Sequence, residues 1–134
     1  MNDSTIQKPN PIKFAILCLL ALLLVVTATA AFFAGRTRAQ NQIRLSEVAL
    51  IQKFLEAYKL DNGYYPAAVN NQPSSFQKYL SSLPVPASDS KCGSANQYIY
   101  EQLNSGSSYK LSFCLNSKTE GFSAGINSFG PPAN

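Results

Sequence analysis

Cys92 and Cys114 are the residues of this chain whose type and placement best suit covalent chemistry, and that chemistry is oxidation to a disulfide. Both stand in the polar part of the sequence, and a bond between them closes a loop of roughly 22 residues, worth about 3 kcal/mol. The other reading of the pair is two unrelated buried thiols, since cysteine is often simply a small buried hydrophobe. Their spacing is not that of a redox motif, and no histidine exists to activate either sulfur. The absence of histidine also excludes histidine-based triads and the usual zinc–histidine sites. Ser75-Phe-Gln-Lys78 has the Ser-x-x-Lys spacing of acyl-transfer enzymes, but no second motif accompanies it and the chain is rich in serine. No glycine-rich phosphate cradle is present. The residues therefore read as those of a scaffold or binding protein, with no catalytic site, cofactor or metal.

The element that places these residues in a compartment is an apolar run over residues 14–34, which contains no charge. About 20 such residues at 1.5 Å each cross a ~30 Å hydrocarbon layer, and a helix satisfies its own backbone there. The competing reading is a cleaved signal peptide. Lys8 and Lys13 make a positive n-region, and Ala28-Thr29-Ala30 fits a small-x-small cleavage pattern. Against cleavage, the run continues through Ala31, Phe32, Phe33 and Ala34, past the usual h-region of about 7–15 residues. A retained anchor is the reading adopted, with the lipid bilayer as first partner. A count of Lys8 and Lys13 against Arg36, Arg38 and Arg44 would keep the C-terminal part in the cytoplasm. A Cys92–Cys114 bond demands an oxidising compartment and argues the reverse. The expected layout is a single-pass cell-membrane protein: residues 1–13 a cytoplasmic tail, 14–35 the transmembrane helix, 36–60 its amphipathic extension and 61–134 an extracytoplasmic domain.

The net charge of +4 invites a nucleic-acid reading, but its distribution opposes one. From Glu47 onward six lysines face six acids, so the polar domain is neutral. The excess is Lys8, Lys13, Arg36, Arg38 and Arg44, which bracket the apolar run and can reach lipid phosphates, each contributing on the order of 1 kcal/mol on an anionic surface. No nucleic-acid partner is expected.

Beyond the run the helix is expected to continue, because no proline interrupts residues 35–60 and the only glycine there is Gly35. Leu45, Val48, Ile51, Leu55 and Tyr58 recur at helical spacing and form one packing face. Leu50, Phe54 and Ala57 widen it, whereas Gln52, Lys53, Glu56 and Lys59 are expected to face elsewhere. Asp61-Asn62-Gly63 ends the helix, with Gly63 suited to a left-handed cap, and Pro66 forbids its continuation. Tyr64 or Tyr65 can fold back against the stripe. A short helix is expected to start at Pro73-Ser74-Ser75 and to carry Phe76, Tyr79, Leu80 and Leu83. After a Pro/Ser loop, residues 97–102 and 109–115 read as strands joined by the turn Asn104-Ser-Gly-Ser107. In the second strand Tyr109, Leu111, Phe113 and Leu115 point to the helix and Cys114 to the other side. The stretch from Gly121 reads as an edge strand. The fold class is α+β: a long N-terminal helix whose C-terminal half packs on a small antiparallel sheet.

Tyr58-Lys-Leu-Asp61-Asn62-Gly63-Tyr64-Tyr65-Pro66, preceded by a membrane helix with an amphipathic half, resembles the type IV pilin and type II secretion pseudopilin family. The segment from Phe76 to Pro84, the Tyr98-x-Tyr100 strand and the strand Tyr109-x-Leu-x-Phe-Cys114 follow in the order of major-pseudopilin-like proteins. The resemblance implies a bacterial envelope protein, with other pilin-like subunits as partners through the N-terminal helix and Asp61, Asn62, Gly63, Tyr65 and Pro66 as a structural turn. The sequence departs from the family in three places. Lys13, not glycine, precedes Phe14; Cys18 stands at the fifth position from Phe14, where the family holds a glutamate; and the helix-bending proline is missing. The family's calcium loop lacks carboxylates here, since Glu120 is the only acid after Glu101. The expected function is a pilin-like or pseudopilin-like structural protein, possible as a non-polymerising accessory member. The alternative is a surface binding or adhesion module, or a product released by signal peptidase.

Overall fold

The computed structural model describes residues 10–87, 92–119 and 121–131. The tail before Asn10, residues 88–91 of the Pro/Ser loop, Glu120 and residues 132–134 lie outside the described residues, as do the expectations that fall on them. The chain forms two compact units, Met1–Arg36 and Thr37–Asn134.

A single helix, α1 (Pro11–Asn62), contributes to both. It begins earlier than hydropathy alone suggests because Asn10 caps it. The Asn10 side-chain oxygen accepts the Ile12 amide at 3.2 Å, and proline suits the first helical position, where no amide is needed. In the first unit every described helical residue is exposed. The hydroxyls of Thr27 and Thr29 donate back to helix carbonyls, at 3.0 Å to Leu23 and 2.9 Å to Val26, so neither leaves an unsatisfied polar group in the run. At its far end α1 stops where Gly63 takes φ +83° and donates its amide to the Lys59 carbonyl at 2.7 Å.

In the second unit, β1 (Ala68–Val69) and β2 (Gln72–Pro73) form a small hairpin. Asn70 and Asn71 sit at its tip with φ of 51° and 61°, the left-handed pair that a tight hairpin turn needs and that asparagine tolerates. This hairpin is absent from the sequence reading. The main sheet follows as β3 (Ile99–Leu103), β4 (Ser108–Leu115) and β5 (Gly125–Phe129), antiparallel in the order β3-β4-β5. Tyr100 lies opposite Leu111, and Phe113 opposite Asn127. The central strand β4 is buried from Leu111 to Leu115, and Tyr109, Leu111, Phe113 and Leu115 join Val48, Ile51, Phe54 and Leu55 in one core. An α+β fold with a helix packed on an antiparallel sheet is thus what the chain adopts.

One expected helix is not there. Ser75 has φ +59°, and only a single 3-10 turn, Phe76–Lys78, follows. One turn cannot repay helix nucleation by itself, and prolines at 84 and 86 bar extension. The turn persists because Tyr79 packs on Phe54, ring to ring at 5.5 Å.

The β3–β4 connection is tighter than its serine-rich sequence suggests. Asn104, Ser105 and Gly106 all have positive φ, and a methyl group on Gly106 would meet the Gln102 amide nitrogen at 3.0 Å and the Tyr64 Cβ at 3.1 Å. Gly106→Ala is therefore expected to cost about 2–3 kcal/mol, through strain at φ +89° and contact with the turn after α1. Thermal unfolding of the detergent-solubilised chain, followed by near-UV circular dichroism, measures it. Gly35→Ala, where a methyl group meets nothing within 4 Å, is the control and should not lower the midpoint.

Candidate functional site

The most elaborated part of the molecule is the seam along which α1 meets the sheet in the second unit. Helical spacing places Val48, Ile51 and Leu55 on the sheet side, and all three are buried, Leu55 completely. Leu45 and Tyr58 are half-buried against the same core. Phe54 is buried with them, whereas Leu50 remains 43% exposed and does not widen the packed face.

The stripe does not end at Leu45. Asn41 and Arg44 continue it one turn earlier, and both are buried. Asn41 donates to the Ser117 carbonyl at 2.8 Å and to the Ser117 hydroxyl at 3.0 Å, and it accepts the Asn116 amide at 3.0 Å. Asn116 in turn donates to Gln40 at 3.0 Å. This clasp ties the end of β4 to α1 across 76 residues of sequence. Arg44 corrects the sequence reading: it is not a lipid-facing cation but is 1% exposed, reaching Asn96 Oδ1 at 3.3 Å and the Ala87 carbonyl at 3.4 Å through Nη2. Arg36 and Arg38 are exposed.

Glu56 is a second correction, since it does not face away. Its carboxylate accepts the Tyr65 hydroxyl at 2.9 and 3.1 Å. Glu47 likewise accepts the Tyr98 hydroxyl. Two carboxylates on the helix thus each hold a tyrosine from outside it. Both helix positions lie at the edge of the apolar stripe, and that position was the only sequence signal available.

The turn residues Asp61, Asn62, Gly63, Tyr65 and Pro66 are brought together at the end of α1. Asp61 accepts Lys78 at 2.8 Å and the Tyr79 hydroxyl at 2.7 Å, and these bonds hold its carboxyl below its usual pKa. Tyr65, fully buried, is tied on every side: its amide donates to the Gly106 carbonyl at 2.8 Å, and its carbonyl accepts the Gln102 side chain at 2.6 Å. Its ring meets Tyr109 at 4.7 Å and carries Lys59 at 4.7 Å. The Pro66 carbonyl accepts the Tyr100 hydroxyl at 2.7 Å. Tyr64, by contrast, is 49% exposed.

Cys92 and Cys114 are joined in a disulfide with Cα atoms 6.2 Å apart. Cys114 is out of phase with the core-facing residues of β4, and the bond holds the turn Gly93–Ala95 and Asn96 against the strand. Asn96 reaches Arg44, so the disulfide secures one wall around the buried cation. Cys18 is a free, exposed cysteine. Among the described residues no group of three or more His, Cys, Asp or Glu side chains could hold a metal ion. The polar groups described along this seam tie one element to another. Comparison with known proteins finds no family model, no curated protein and no solved structure that matches this chain.

Two measurements probe the seam. Asn41→Ala removes the three hydrogen bonds that the buried Asn41 side chain makes to Asn116 and Ser117 and is expected to cost about 2–4 kcal/mol, read as a lowered urea midpoint. The second concerns pH. Burial pushes Tyr109 up to about 12, against a smaller opposing pull from the Gln52 amide. Tyr65, Tyr98 and Tyr100 are also raised, first by burial and, for Tyr65 and Tyr98, then by their bonds to Glu56 and Glu47. The fold favours the neutral phenols, whereas the unfolded chain ionises them near 10.0. From these tyrosines stability should therefore be level between about pH 8 and 9 and fall above pH 10, each buried tyrosine steepening the decline by about 1.4 kcal/mol per pH unit. Urea midpoints taken between pH 8 and 11 test this, and Tyr98→Phe should flatten the decline.

Proposed function

We propose that this protein is a membrane-anchored, extracytoplasmic structural subunit of the pilin-like or pseudopilin-like kind, serving a type IV pilus or type II secretion-type system as an accessory member. One observation carries the reading: a helix of mean hydropathy 2.8 over its most apolar window, with none of that window buried by protein, continues directly into the turns that form a folded domain's core. So large an apolar surface without a protein cover calls for lipid or for other helices of its kind. The back-bonded hydroxyls of Thr27 and Thr29 suit that setting, because they expose no unsatisfied donor to hydrocarbon.

The disulfide supports an extracytoplasmic domain, since cytosolic thiols are kept reduced. The layout of a long helix packed on an antiparallel sheet, closed by the Asp61–Pro66 turn, supports the pilin-like kind. An accessory role follows from residue 18. In the resembled family a glutamate there is thought to neutralise a neighbour's amino terminus, and a cysteine carries no charge with which to do so.

Membrane fractionation with alkaline carbonate extraction tests the anchor. The full-length chain should stay in the pellet, with Cys92 and Cys114 resistant to alkylation until a reductant is added. Leu20→Arg with Leu23→Arg should release it, at about 2.5–3.5 kcal/mol per charge at the helix centre. A soluble mature product beginning after Ala30 would overturn the anchor. Oxidative Cys18–Cys18 crosslinking in the membrane reads assembly separately: crosslinked multimers argue for polymerisation, and an exclusively monomeric band argues for the accessory role.

A further inference from the structure

The second unit contains a half-open cavity of about 270 Å³ that opens beside the helix–sheet seam and shares some of its residues. Its floor is apolar, formed by Ile51 of α1 and Leu111 of β4. Its walls come from three separate segments: the β1–β2 hairpin, the Leu83–Pro86 stretch and residues 96–98. Two features of the lining bear on what it could hold. Among the described residues no charged side chain contributes to it. Its rim is rich in carboxamides, with Asn70, Asn71 and Gln72 on one side and Gln97 on the other, all exposed at the opening.

A carboxamide offers a donor and an acceptor side by side, the pattern that vicinal hydroxyls of a sugar ring complement. Tyr98, Pro73 and Pro84 add ring surfaces between the amides, and a pyranose has an apolar C–H face to lay against such rings. The described lining offers no fixed charge to an ionic ligand, which would forfeit hydration there, and this favours a neutral one. An added peptide strand is disfavoured for another reason. At Tyr100 the edge of β3 beside the cavity is already engaged, its amide donating to the Asn71 carbonyl at 2.8 Å. The volume lies just under the roughly 300 Å³ at which drug-sized ligand sites begin, which suits one ring rather than a long chain.

We infer that this cavity is a binding site for a neutral saccharide, taking one sugar ring between the Asn70–Gln72 rim and Gln97. The site belongs wholly to the Thr37–Asn134 unit, so it stands or falls independently of whether the protein assembles. Being half-open, it should bind weakly, with Kd of about 1 mM.

Saturation-transfer NMR on the full chain in nanodiscs free of glycolipid tests it, with chitotriose and maltotriose as neutral probes. A trigalacturonate and a proline-rich peptide serve as the competing chemistries. Transfer to a neutral probe, weakened at least tenfold in Gln72→Ala/Gln97→Ala, is the expected result. Both substituted side chains are exposed, so the variant should retain the wild-type thermal midpoint and its disulfide; a second variant, Gln97→Trp, fills the mouth and should abolish transfer. No transfer from either neutral probe at about 10 mM would overturn the assignment. So would binding undiminished in both variants, or a preference for the anionic or peptide probe.

Discussion

Everything in the folded unit depends on one face of α1 serving as its core. The sheet has only three strands, and β4 alone is flanked on both edges. A sheet of that size with one apolar face cannot persist in water without a cover. Val48, Ile51, Phe54 and Leu55 supply the cover, and Tyr109, Leu111, Phe113 and Leu115 supply what is covered. Remove either set and the other has no reason to be ordered. The disulfide, the tyrosine–carboxylate pairs and the Asn41 clasp hold this contact in register, but they do not replace it.

Register is where the polar groups matter. An apolar stripe can slide along a sheet at modest cost, whereas a buried amide with three fixed partners cannot. Asn41 fixes the start of the seam, Glu47 and Glu56 fix its middle through Tyr98 and Tyr65, and Asp61 fixes its end through Lys78 and Tyr79. The exposed pair at Asp61 contributes little energy by itself. The buried bonds contribute more, chiefly because leaving them unmade is expensive.

Which parts of this were legible in the sequence follows from how local each signal is. The spacing of Val48, Ile51 and Leu55, the cap at Gly63 and the alternation of Tyr109, Leu111, Phe113 and Leu115 are periodic, and each is read within a dozen residues. Arg44 looks lipid-facing in the sequence because it is a cation near an apolar run, and only its distant partners, Ala87 and Asn96, show otherwise. Glu56 looks solvent-facing in the sequence because its partner Tyr65 lies past a chain reversal. The β1–β2 hairpin did leave a local mark in Asn70-Asn71, but strands this short have no period to reveal them. The helix expected after Ser75 failed through the reverse error, a local pattern too brief to outweigh its nucleation cost.

The same helix carries two kinds of surface, and the change falls over a few residues. Up to Arg36 every described side chain is exposed, including the large apolar ones; from Asn41 the buried positions recur at helical spacing. Among the described residues none of the buried ones precedes Asn41. A product cut after Ala30 would keep the whole core, the disulfide and the turn. The core-facing turns and the apolar run are thus separate stretches of one helix. The feature that suits an anchor is the run at residues 14–34, whose large apolar side chains are exposed and which has no polar face to offer water.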